Sequence, residues 1–158
     1  MRTNTKFLSV GLLVLSFIVF TLVSEVIGEN ADKELNNFQG TWTMVSGERD
    51  GKKISDEDVS KSKITYQGNQ GQLTAPHQHG EPIFFDIVKI DPTKSPKEFY
   101  LIRKNGPSAG KTITAIYEFD GNDQFKFAFD PTAATTPKEF ATKEGTGYIR
   151  QTWKRWKP

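Results

Sequence analysis

The residues best suited to hold a metal are two histidines at alternate positions, His77 and His79, in Ala75-Pro76-His77-Gln78-His79-Gly80-Glu81-Pro82. Side chains two apart in an extended segment point the same way, so two imidazoles, with Glu81 at the same parity, could bind copper or zinc. A solvated loop tip between Pro76 and Pro82 explains the same residues, and the four ligands of a structural zinc site are not in view. Gly106 to Thr112 (Gly-Pro-Ser-Ala-Gly-Lys-Thr) ends like a phosphate-binding loop. That loop requires a glycine where Asn105 stands and a helix immediately after it. Residues 113–119 alternate as a strand, which makes the segment a turn between strands. Carboxylates are plentiful at Asp56, Glu57, Asp58, Glu118 and Glu139, yet Ser55-Asp56-Glu57-Asp58 has the form of a helix cap. Gly106-Pro107-Ser108-Ala109-Gly110 matches the Gly-x-Ser-x-Gly pattern, but a nucleophile elbow leads into a helix and residues 113–119 alternate as a strand, and both histidines fall in one loop. The expectation is a protein that is not an enzyme and needs no cofactor.

The remaining candidates are aromatic: Phe85, Phe99, Tyr117, Phe119, Phe125, Phe127, Phe129 and Tyr148. They either fill a core or line a cavity for a small ligand, since an eight-stranded barrel is just wide enough for side chains or for one small molecule. Their positions come from strands. Ile113, Ala115, Tyr117 and Phe119 share one parity, with Ile116 the exception on the other. Phe125, Phe127 and Phe129 share a parity after Asp120-Gly121-Asn122-Asp123, whose residues tolerate the positive φ of a hairpin turn. A lone hairpin is unstable in water, so this one belongs to a larger sheet.

The other elements follow the same logic. Residues 29–37 predict a short helical turn that drops Leu35 and Phe38 onto the end of the next element. Gly40 to Glu48 alternates around Trp42 and Met44, Asp50-Gly51 turns the chain, and a short helix follows Ser55. Ile64 with Tyr66, then residues 72–75, predict two more strands. Pro82 to Ile90 is nearly continuous in apolar residues, which predicts a strand covered on both faces for part of its length. Phe99 to Arg103, the hairpin, a short edge strand from Phe140 and Tyr148 to Arg155 complete the set. About eight strands with turn chemistry between them and no long helix predict an all-β antiparallel meander, closed as a barrel or folded as a sandwich.

Residues 1–28 have the basic, apolar and small-residue order of a secretory signal peptide, with Arg2 and Lys6 ahead of an uncharged run from Phe7 to Val23. An uncleaved membrane anchor is the alternative. The domain is then 29–158. Without residues 1–28, which take Arg2, Lys6 and Glu25 with them, the formal charge falls from +2 to +1. That charge supplies no field to attract nucleic acid, and any membrane contact would come through the N-terminal segment alone. The chain has no cysteine, which excludes disulfides, thiolate metal sites and N-terminal cysteine lipidation. About 130 residues bury a core without such staples.

Leu35-Asn36-Asn37-Phe38-Gln39-Gly40-Thr41-Trp42 resembles the start of a lipocalin-like barrel, a turn of helix leading into a Gly-x-Trp strand. More specifically the chain resembles an uncharacterised secreted domain family abundant in planctomycete bacteria. Its signposts here include Gln39-Gly40-Thr41-Trp42, Asp50-Gly51-Lys52, Pro96-Lys97, Gly106-Pro107 and Gly110-Lys111-Thr112. They continue through Ile116-Tyr117-Glu118, Asp120-Gly121, Pro137, Glu139-Phe140 and Trp153-Lys154-Arg155, so the match spans residues 35–155. Ala128 stands where similar chains often have cysteine, and Thr136 where they often have arginine. The resemblance implies a lipocalin-like barrel and export to the periplasm or the extracellular space, and supplies no catalytic residues. It also implies that Arg155 of the last strand packs over Trp42 of the first to close one end, with Arg150 as the alternative partner. The leading functional expectation is a secreted, non-catalytic binding module that holds a small apolar or amphipathic ligand among the aromatic residues. The alternatives are an interaction domain with a filled core that binds another envelope protein, and a periplasmic metal binder using His77 and His79.

Overall fold

A computed structural model describes residues 28–76 and 81–157. The expected signal peptide, apart from Gly28, and both histidines of the metal reading lie outside the described residues. Residues 28–38 form a helix, α1. Then come β1 (Gly40–Arg49), β2 (Lys52–Lys53), α2 (Asp56–Lys61), β3 (Lys63–Gln67), β4 (Gln70–Thr74), β5 (Ile83–Asp91), β6 (Lys97–Arg103), β7 (Thr112–Asp120), β8 (Gln124–Phe129) and β9 (Ile149–Arg155). Each strand pairs antiparallel with its neighbour, and β9 returns to pair with β1 from Trp42↔Arg155 to Arg49↔Ile149. That last ladder closes eight strands into a barrel and leaves β2 as a short addition at the end of β1.

Alternation sets the wall. Tyr117 faces Phe127 and Phe119 faces Phe125 across the β7–β8 hairpin, with these side chains inward. Glu118 and Lys126, directly opposite on the outer face, pair at 3.0 Å. Gly121, at φ 63°, makes the turn between them. Two bulges, between Met44 and Ser46 in β1 and between Ile87 and Lys89 in β5, bend the wall and shift which parity faces in. Gly71 in β4 serves the packing instead. A Cβ there would lie 2.0 Å from Cζ of Phe85, so its missing side chain makes room for that ring.

The core centres on Phe38, which α1 delivers into one end of the barrel. Its ring lies 4.7–6.1 Å, centroid to centroid, from those of Tyr66, Phe99, Tyr117, Phe119, Phe125 and Phe127. Most of these contacts are edge-to-face, a geometry that adds about 0.5–1.5 kcal/mol per pair to the area buried. An ion pair between Glu34 of α1 and Lys97 of β6 pins the helix there.

Three sequence expectations are corrected. No strand begins at Phe140: residues 130–148 have no strand. Both carboxylate oxygens of Asp130 accept bonds, Oδ1 from the amide and hydroxyl of Thr132 and Oδ2 from those of Thr135. These bonds, with Pro131 and Pro137 removing donors, commit the chain to turns rather than a ladder. The segment lies on the outer face of β8, where Lys126 Nζ stands 4.6 Å from the Phe140 ring centre. The second correction concerns β5, whose outward Phe84 and Val88 are 44% and 51% exposed, so that both faces are covered only at its end, at Ile90 and Asp91. β7 is covered on both faces at its middle, where its exceptional Ile116 and the facing Ala128 of β8 are fully buried on the outer side, as is Pro137. The third is Tyr148, expected in the barrel lining. It precedes β9 at outward parity, half-buried, with its hydroxyl 3.0 Å from that of Thr135.

Candidate functional site

The two ends of the barrel differ. At the end where β1 begins, the Arg155 guanidinium lies 4.1 Å from the Trp42 ring centre. It donates to the carbonyls of Asn37 (2.9 Å), Gln39 (2.7 Å) and Asn122 (3.2 Å). The Trp42 indole donates to the Phe38 carbonyl at 2.7 Å. Cation, indole and helix terminus thus close this end as one unit. Arg150, the alternative partner, instead pairs with Glu48 on the outer face.

The aromatic candidates split along the barrel axis. Phe99, Tyr117 and Phe125 are buried in the packed cluster beneath Phe38, and half-buried Phe119 joins them. Phe85 and Phe127 border a cavity of only about 40 Å³ above that cluster. Such a space holds little more than one water-sized group. The deep interior is therefore filled. Phe129 alone of the set reaches the larger space, a cavity of about 370 Å³ at the opposite, open end. That volume falls within the range of small-ligand sites.

The open end is built from the last inward positions of the strands. Leu73 of β4, Phe129 of β8 and Ile149 of β9 form an apolar floor, with Gln151 beside it. The Gly106–Thr112 segment turns here, and β7 starts at Thr112, so no helix follows as a phosphate-binding loop requires. It contributes Pro107, Ser108 and Lys111 to the rim. The Ser108 hydroxyl donates to the Pro131 carbonyl at 2.6 Å, and Lys111 Nζ donates to that of Thr132 at 3.4 Å. These bonds fasten the rim to the start of the long 130–148 segment.

Two arginines complete the lining, Arg49 from β1 and Arg103 from β6. Arg103 pairs with inward Phe85 across the ladder, and Arg49 with inward Ile149. Among the described residues no carboxylate lines this cavity. Burial, and then the neighbouring charge of Arg49, hold the Arg103 guanidinium below its ordinary pKa. In nearby Asp130 burial works to raise the pKa, but the bonds from Thr132 and Thr135 win and hold it below the usual carboxylate value. A second depression of about 380 Å³, bordered by β2 and α2, shares Arg49, Ile149 and Gln151 with the mouth.

Neither Arg49 nor Arg103 was among the residues that sequence reasoning singled out as a site, and Lys111 entered only through the phosphate-loop pattern read as a turn. Arg103 shares the parity of Phe99, so its inward direction was available from alternation. Arg49 was not, because the bulge after Met44 reverses the parity set by Trp42. Among the described residues no group of three histidine, cysteine, aspartate or glutamate side chains could hold a metal ion. No helix among them is long and apolar enough to cross a membrane. Compared with protein-family models, with curated proteins and with solved structures, the chain matches none.

Proposed function

We infer that this barrel is an exported, non-catalytic binding module that holds one small apolar or amphipathic ligand at its open end. The observation that carries the reading is the cavity of about 370 Å³ floored by Leu73, Phe129 and Ile149. The filled aromatic centre moves the ligand from the middle of the barrel to its mouth. Membership of the planctomycete secreted family, and export with it, belong to the same proposal. They rest on the sequence signposts that run from Gln39-Gly40-Thr41-Trp42 to Trp153-Lys154-Arg155 and on the signal-like order of residues 1–28.

The test is titration with the neutral fluorophore N-phenyl-1-naphthylamine. One molecule binds per chain, and Leu73→Trp or Ile149→Trp, each filling the mouth, weakens binding at least tenfold at unchanged melting temperature. A tenfold loss corresponds to about 1.4 kcal/mol. Absence of saturable binding to the wild type overturns the reading. The second reading, an interaction domain for another envelope protein, is favoured by exposed Phe84 and Val88 on the outer face of β5. It predicts no saturable uptake of the fluorophore, which separates the two.

A further inference from the structure

Four arginines lie among the described residues, and their partners divide them. Arg150 pairs with Glu48, and Arg155 bonds three carbonyls and lies 3.5 Å from Asp123. Among the described residues neither Arg49 nor Arg103 has a side-chain hydrogen bond or an ion pair, and both line the mouth. A half-buried guanidinium with no acceptor among the described residues, next to a second cation, is an expensive arrangement for a merely structural residue. Its five donors in a planar fork suit an oxyanion that arrives from outside.

We propose that Arg103 and Arg49 bind the oxyanion headgroup of an amphipathic ligand, with Lys111 at the rim, while its apolar body lies on Leu73, Phe129 and Ile149. The inference rests on the binding-module reading above and adds the charge of the ligand to it. Like charges held together without a counterion repel, and an entering anion relieves that repulsion as well as making charge-assisted bonds. Burial of Arg103 strengthens the attraction by limiting screening from water. At roughly 30 Å³ per methylene-sized group, the cavity of about 370 Å³ has about the volume of a ten-carbon carboxylate.

Decanoate, 1-decanol and decyltrimethylammonium, three ligands with one tail and three headgroup charges, are compared by displacement of N-phenyl-1-naphthylamine. Decanoate displaces the probe at a concentration at least tenfold lower than 1-decanol, and the cation displaces it least well. Arg103→Gln abolishes the preference for decanoate over 1-decanol measured on the same variant; Arg49→Gln reduces that preference in part. Raising the salt concentration weakens decanoate binding and not that of 1-decanol. Equal binding of decanoate and 1-decanol to the wild type overturns the anion site and leaves the binding module standing. Failure of the probe itself to bind sinks the underlying reading first. A decanoate preference that survives both Arg103→Gln and Arg49→Gln also overturns the assignment.

Discussion

Arg155 does two jobs at one atom group: its face covers the Trp42 indole and its edge satisfies three carbonyls at the junction of α1, β1 and the β7–β8 turn. Lysine cannot reproduce a planar fork that reaches three acceptors at once. Arg155→Ala is expected to cost about 1–3 kcal/mol, combining the cation–π contact with the loss of partners for the partly buried carbonyls of Asn37 and Gln39. Arg155→Lys recovers less than half of that. Denaturant unfolding of the three proteins measures both effects, and a lysine variant as stable as the wild type would show that charge alone suffices. The guanidinium of Arg103 presents the opposite case. Arg49 is its neighbour, it has no side-chain acceptor among the described residues, and it is the residue on which the proposed anion site turns.

Alternation makes strands legible because one face meets the core and the other does not. Phe125, Phe127 and Phe129 therefore reveal β8, and the same rule places Phe99, Leu101 and Arg103 on one wall. It fails where an element meets something other than water on its outer side. Ile116 reads as an irregularity in β7, and nothing local says that the 130–148 segment shelters it. Phe84 and Val88 lead to the opposite error, since an apolar outer face looks covered in sequence and here stays exposed. The bulge in β1 conceals Arg49 for a third reason, because an inserted residue changes the phase without leaving a compositional mark. The 130–148 segment has its own fastening in Asp130. Asp130→Ala removes four accepted bonds, and the expected outcome is faster amide hydrogen exchange along residues 131–142 and at Ile116 and Ala128, with β3 and β4 unchanged. Uniform acceleration across all strands would mean instead that Asp130 supports the whole barrel.

Closure ties residue 42 to residue 155, so the whole molecule unfolds as one unit if it follows the two-state behaviour of single domains this size. Its acid sensitivity is set by carboxylates that the fold holds ionised. Bonds from Thr93 and Lys89 bring Asp91 down to about 2, outweighing the opposing effect of burial. Glu48, bonded by Arg150, and Asp130 are lowered too. A depressed folded-state pKa stabilises the native protein above the unfolded value, and that stability is lost as pH falls through the folded one. The melting temperature is therefore expected to hold from neutrality to about pH 4 and to fall between about pH 4 and pH 2. Asp91→Asn should lower the neutral plateau, by about 1–2 kcal/mol in unfolding free energy, and flatten the acid limb. Parallel melting curves for wild type and variant from pH 7 to pH 2 would contradict this assignment.

Phe38 has a directional effect as well as an energetic one. Because α1 inserts it as a stopper, one pole of the barrel is shut, while Arg49 and Arg103 lie at the opposite one. Under the proposed binding reading, a ligand therefore has a single doorway, and entry and exit compete for the same opening.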